Sequence, residues 1–117
     1  MKIVKTRQFD EDQTRIEDHI YNSTEDIKLV DRFLDELDSA VTWIRSNVAT
    51  PKEDHVGDRS WPFYRDDKGE LRYRLKYLFV NTKPQTVFLK RIVDNREQNL
   101  DIYPMHKLGS YSDDDDE

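Results

Sequence analysis

The chain has no cysteine, three glycines and four prolines among its 117 residues. Without cysteine there is neither a disulfide framework nor a thiolate metal site. Three glycines are too few for a phosphate-cradling loop of familiar form, so small-molecule chemistry on a nucleotide is not expected. No apolar run approaches the roughly 18 residues that a membrane span needs. Residues 1–7 lack the apolar stretch of a secretory signal, which makes the cytoplasm the expected compartment. His19, His55 and His106 lie far apart, and the carboxylates of the helical half alternate with apolar residues as solvated faces do. No metal and no cofactor are expected.

What is abundant is charge. Charged residues make up 38% of the chain, against 35% apolar and 11% aromatic, so the core is modest and little apolar surface is left over. The length predicts a single domain over residues 1–108, followed by an acidic tail, 109–117, too polar to order itself. The net charge of -6 conceals a segregation. Residues 1–57 carry eight basic and thirteen acidic side chains, residues 58–112 eleven basic and seven acidic, and residues 113–117 are all acidic. A positive half beside an acidic helical half keeps nucleic-acid binding open despite the low overall pI.

Residues 2–6 read as a short strand. Phe9, Ile16 and Ile20 then recur at helical spacing, predicting a first helix over 10–21. Asn22, Ser23 and Thr24 have the chemistry of a cap for a second helix, with Glu25 and Asp26 in its first turn. That helix carries the clearest pattern in the sequence: Ile27, Val30, Leu34, Leu37, Val41, Ile44 and Val48 at steps of three and four, widened by Phe33, Ala40 and Trp43. The stripe stops at Ala49-Thr50-Pro51, which favours an internal helical hairpin on a sheet over a coiled-coil partner.

Past residue 59 the period becomes alternating. Strands are predicted over 59–64, 70–80 and 86–94, joined by a turn at Asp66-Asp67-Lys68-Gly69 and another at residues 81–85. The expected fold is therefore α+β: an N-terminal strand and a two-helix antiparallel hairpin packed on one face of an antiparallel sheet whose last three strands form a meander. In the middle strand Leu71, Tyr73, Leu75, Tyr77 and Phe79 point one way and Arg72, Arg74 and Lys76 the other. A near-symmetric register about the first turn places Trp61 by Arg74, Phe63 by Arg72, and Lys76 by Lys90. Such a face suits stacking on unpaired bases; the plainer alternative is ordinary cross-strand cation–π pairing.

Strand, two helices and a three-stranded meander, with Tyr73-Arg74-Leu75-Lys76-Tyr77 in its middle strand and Lys90-Arg91-Ile92-Val93-Asp94-Asn95-Arg96-Glu97 closing it, resemble the RelE/ParE toxin superfamily. The resemblance spans residues 2–103 and implies a small cytoplasmic toxin neutralised by a cognate antitoxin. One branch of that superfamily cleaves messenger RNA on the ribosome as an endoribonuclease, or mRNA interferase; another inhibits DNA gyrase without catalysis. In the nuclease branch Arg74 matches the arginine at the scissile phosphate, and Arg96 the arginine that stabilises transition-state charge. Tyr103 falls near a tyrosine that acts on the attacking 2'-hydroxyl, one residue further from Arg96 than the pattern has it. That branch also carries a lysine pair in the first meander strand, where this chain has Trp61-Pro62-Phe63-Tyr64.

Cleavage of RNA through its own 2'-hydroxyl needs a proton acceptor, cations on the phosphorane-like charge and an acid for the leaving oxygen. Arg74 and Arg96 supply only the cations. His106, His55 and Glu97 are the further candidates for proton transfer, and His19 reads as a surface residue of the first helix. The expected catalytic set is thus Arg74, Arg96, Tyr103 and His106, and the expected nucleic-acid surface Trp61, Phe63, Arg72, Arg74, Lys76 and Lys90. The alternatives are a gyrase inhibitor and a catalytically inactive relative that only binds protein. Residues 113–117 serve solubility, or compete with nucleic acid for the basic stripe.

Overall fold

Thr6 ends the first strand and starts the first helix: its Oγ1 accepts the Phe9 N–H at 3.1 Å and donates to the Lys90 carbonyl at 3.1 Å. One hydroxyl so caps a helix and ties it to a distant strand. In the computed structural model, which describes residues 1–66 and 68–95, the elements are β1 (Lys2–Lys5), α1 (Arg7–Thr24), α2 (Ile27–Ser46), β2 (Arg59–Arg65), β3 (Leu71–Val80) and β4 (Thr86–Asp94). The fold is α+β, with a helical hairpin against one face of a four-stranded sheet of order β1-β4-β3-β2. β2, β3 and β4 form the antiparallel meander. β1 joins β4 in parallel, so the sheet is mixed rather than antiparallel throughout.

The helix boundaries differ from the sequence expectation. α1 runs on through Asn22-Ser23-Thr24 because the Ser23 and Thr24 hydroxyls donate back to the carbonyls of His19 and Ile20, serving α1 instead of capping α2. Asp26 is the cap of α2, its carboxylate accepting the Lys28 N–H at 2.9 Å. Between the helices Glu25 takes φ +53° and bonds the Tyr21 carbonyl, a left-handed closing position usually given to glycine. The buried line of α2 is Val30, Phe33, Leu37, Ala40 and Ile44. Ile27, at the head of the expected stripe, is 59% exposed.

The core lies between hairpin and sheet. Phe33 of α2 meets Phe63, Tyr64 and Tyr73 with ring centroids 5.7–5.8 Å apart, and Trp43 lies flat on Trp61 at 3.4 Å. Tyr64 joins this cluster by leaving regular strand geometry: at φ +65° it turns its ring toward the helices, directly after Phe63. Left-handed backbone at a non-glycine residue costs about 1–3 kcal/mol, which the packed rings offset.

Asp12 fastens α1 to β4. Only 1% exposed, its carboxylate accepts from Arg91 Nε at 2.7 Å, the Ile92 N–H at 3.0 Å, Arg15 at 3.1 Å and Gln8 at 3.3 Å. Burial pushes this carboxyl up, but the Arg91 and Ile92 bonds outweigh it and hold the group below its ordinary value. The demand for such a group arises in β4. The ladder shifts there, with Lys76 opposite Arg91 and Tyr77 opposite Leu89, which leaves Lys90 as an extra, unpaired residue. Across the shift Val87, Leu89 and Ile92 all stay buried.

Candidate functional site

The β2–β3 register decides which side chains share a face. Asp66 and Glu70 close the connecting loop, the Asp66 N–H donating to the Glu70 carbonyl at 2.9 Å, with Gly69 at φ +81°. Trp61 therefore pairs with Leu75, Phe63 with Tyr73, and Pro62 with Arg74. This is one residue away from the expected pairing, and a one-residue slip moves every side chain to the other face. Trp61 and Phe63, expected beside Arg74 and Arg72 on the open face, instead lie under the hairpin, Phe63 buried and Trp61 stacked on Trp43. They offer no open stacking platform.

On the side of the sheet away from the helices, Arg74 and Lys76 alternate with the buried Tyr73, Leu75 and Tyr77. Arg74 stands between Pro62 of β2 and Val93 of β4, and its Nε donates to Ser60 Oγ at 3.0 Å. Among the described residues no carboxylate pairs with it. Burial alone lowers its pKa, yet a guanidinium remains charged. Lys76, between Ser60 and Arg91, lies where its charge helps hold Asp54 below the usual carboxylate range. Burial pushes Asp54 the other way, and its bonds from the Val56 and Asp58 N–H groups prevail.

Two members of the expected basic stripe are neutralised. Lys90 does not approach Lys76 through the ladder; as the bulged residue it reaches Asp58, with Nζ 3.0 Å from each carboxylate oxygen. Arg72 turns to the end of the sheet near α1, donates to Asp94 at 3.1 Å, and lines a cleft of about 220 Å³ with Arg15, Ile16 and His19. Neither places a free cation beside Arg74. Beyond the cations the same face carries an apolar row, Val4, Phe88 and Leu78, paired across β1, β4 and β3, and none of the three belongs to the core cluster.

Arg96, Tyr103 and His106, the rest of the expected catalytic set, lie outside the described residues, as do Glu97 and the acidic tail. His55 is exposed in the α2–β2 loop, and His19 is exposed on α1. The sequence reading missed Asp58, Ser60 and Asp12. Ser60 and Asp58 precede Pro62 at steps of two, so counting back along β2 from the true partner of Arg74 would have placed both on the open face. Asp12 has no comparable signal, because its role depends on a bulge that alternation does not reveal.

The arrangement has the chemistry that suits an anion: a partly desolvated guanidinium held by a neutral hydroxyl, an ammonium two residues on, and apolar surface alongside. No protein-family model matches the chain, and no curated protein matches it.

Proposed function

We propose that this protein is the toxin of a type II toxin–antitoxin pair of the RelE/ParE kind, acting in the cytoplasm on translation by ribosome-associated cleavage of messenger RNA. The observation that carries the proposal is Arg74, a partly buried cation on the helix-free face of the central strand, bonded to Ser60 and unpaired with any described carboxylate. Its work is to bind the phosphate at the cleaved linkage, with Lys76 extending the charge along the strand and Arg96, Tyr103 and His106 supplying the remaining charge and proton transfer. The partner is a cognate antitoxin that covers this face, and the target is messenger RNA on the ribosome.

A second reading, a non-enzymatic inhibitor of DNA gyrase, is favoured by one observation. The Arg74 neighbourhood holds cations and a hydroxyl, while its nearby acid, Asp58, is tied to Lys90. Induced expression in a bacterial host separates the two. Growth arrest with new messenger 5' ends supports cleavage; arrest with intact messages and broken DNA supports gyrase. A wild-type chain that causes no arrest overturns both and leaves a protein-binding module.

A further inference from the structure

We propose that Asp58 is the resting counter-ion of Lys90 and that a phosphate of a bound RNA strand takes its place, making Lys90 a contact for that strand beside Arg74 and Lys76. The proposal rests on the reading of the open face as a phosphate site, and it assigns to Asp58 the control of how tightly that site binds. Sheet order puts β3 between β4 and β2, and Asp58 directly precedes β2. The Lys90 ammonium therefore spans β3 to stand 3.0 Å from each Asp58 oxygen. The core side of β3 is filled there by Tyr77, which is fully buried. The crossing is thus made on the open side, where the ladder shifts beside Lys76.

The two partners differ in freedom. Asp58 is held by its own loop: its N–H donates to the Asp54 carboxylate at 3.0 Å and its carbonyl accepts the Asp54 N–H at 2.7 Å. Its side chain is 11% exposed, against 40% for Lys90, which sits on a flexible four-carbon stem. The lysine is the partner that moves. A phosphate bound at Arg74 gives it a second anion on the same face, because Val93, the cross-strand partner of Arg74, lies three residues along β4 from Lys90. Asp54 takes no part in the exchange, since its carboxylate is occupied by the Val56 and Asp58 N–H groups. Exchange leaves the nearly buried Asp58 carboxylate without its cation, and that penalty is set against each binding event. Only a ligand with successive anionic groups engages Arg74 and Lys90 at once, which selects a strand over a single phosphate ion.

The test compares the full-length wild type with Asp58→Asn, Lys90→Gln and the double variant, each shown to be folded by its dispersed amide spectrum. All are titrated at low salt with labelled oligouridylate of about ten nucleotides. Asp58→Asn is expected to tighten binding about fivefold and to steepen the dependence of log Kd on log salt by about 0.7, the increment for one more phosphate contact on a single strand. In the Lys90→Gln background the same change is expected to tighten binding by less than about twofold. Plain repulsion between Asp58 and the strand would tighten both backgrounds alike. That result, or no tightening in either, overturns the proposal, as does tightening toward polyglutamate alone. The wild type gives a reading free of any substitution: as oligouridylate is added, the NMR signals of the Lys90 ammonium and the Asp58 carboxylate are expected to shift while that of the Asp12 carboxylate stays. A fixed Lys90 signal in the bound complex overturns the exchange. Binding that is lost in Arg74→Ala but indifferent to Asp58→Asn refutes the exchange alone; no binding by any folded form refutes the phosphate site with it.

Discussion

Asp12 shows how one buried side chain joins two elements that are remote in sequence. It satisfies the Ile92 N–H and pairs Arg91 at the ladder shift. Removing its charge strands a buried donor and an arginine, so Asp12→Asn is expected to cost about 2–4 kcal/mol in urea unfolding at neutral pH. The pH dependence has a definite sign. A carboxyl held below its ordinary value of 3.8 stabilises the fold at pH values above that, and the contribution fades as pH falls through the lowered pKa. The gap between wild type and Asp12→Asn should therefore narrow between pH 6 and pH 2.5; a constant gap would show that packing, not charge, is at stake. Tyr77 is a second buried polar group, fully inaccessible, with its hydroxyl donating to the Val48 carbonyl at 2.8 Å and its pKa pushed up by burial to about 12. Tyr77→Phe leaves that carbonyl unanswered and should lower stability by about 1–2 kcal/mol. A neutral result would mean that water replaces the hydroxyl.

At the scale of elements, the helices were the most legible part of the sequence because an apolar period of three and four survives small errors in end points. Their caps were not, since Ser23 and Thr24 serve equally well as caps or as donors to the preceding turn, and only tertiary packing chooses. Glu25 marks the junction between α1 and α2 at φ +53°. Glu25→Gly should relieve left-handed strain at some cost in chain entropy, for a net gain of about 0.5–1 kcal/mol and a melting temperature several degrees higher. A lower melting temperature would contradict the strain argument. The meander was legible as three alternating strands, and the faces of its middle strand were read correctly, but those of β2 and the place of Lys90 in β4 were not. A five-residue connection where four were expected moved Trp61 and Phe63 inside, Tyr64 broke the alternation, and the shift at Lys90 changed its partner from Lys76 to Asp58. Each error is a single-residue event that period-two patterning cannot register.

For the whole molecule, what matters is how the charge segregation is spent. Among the described residues the positive half written in the sequence yields ion pairs, Arg72 with Asp94, Lys90 with Asp58 and Arg91 with Asp12, while Arg74 and Lys76 stand on the open face without a carboxylate in hydrogen-bond reach. The outward placement of Arg74 was legible because it alternates with Tyr73, Leu75 and Tyr77, three core positions that no loop error displaces. Among the described residues no helix is long and apolar enough to cross a membrane. The most direct test of the account replaces Arg74 with alanine and compares growth after induction with that of the wild type, with melting temperatures measured for both proteins. Arg74 faces away from the core, so the account predicts a melting temperature within a few degrees and complete loss of growth arrest. Arrest that persists in a folded Arg74→Ala protein would contradict it.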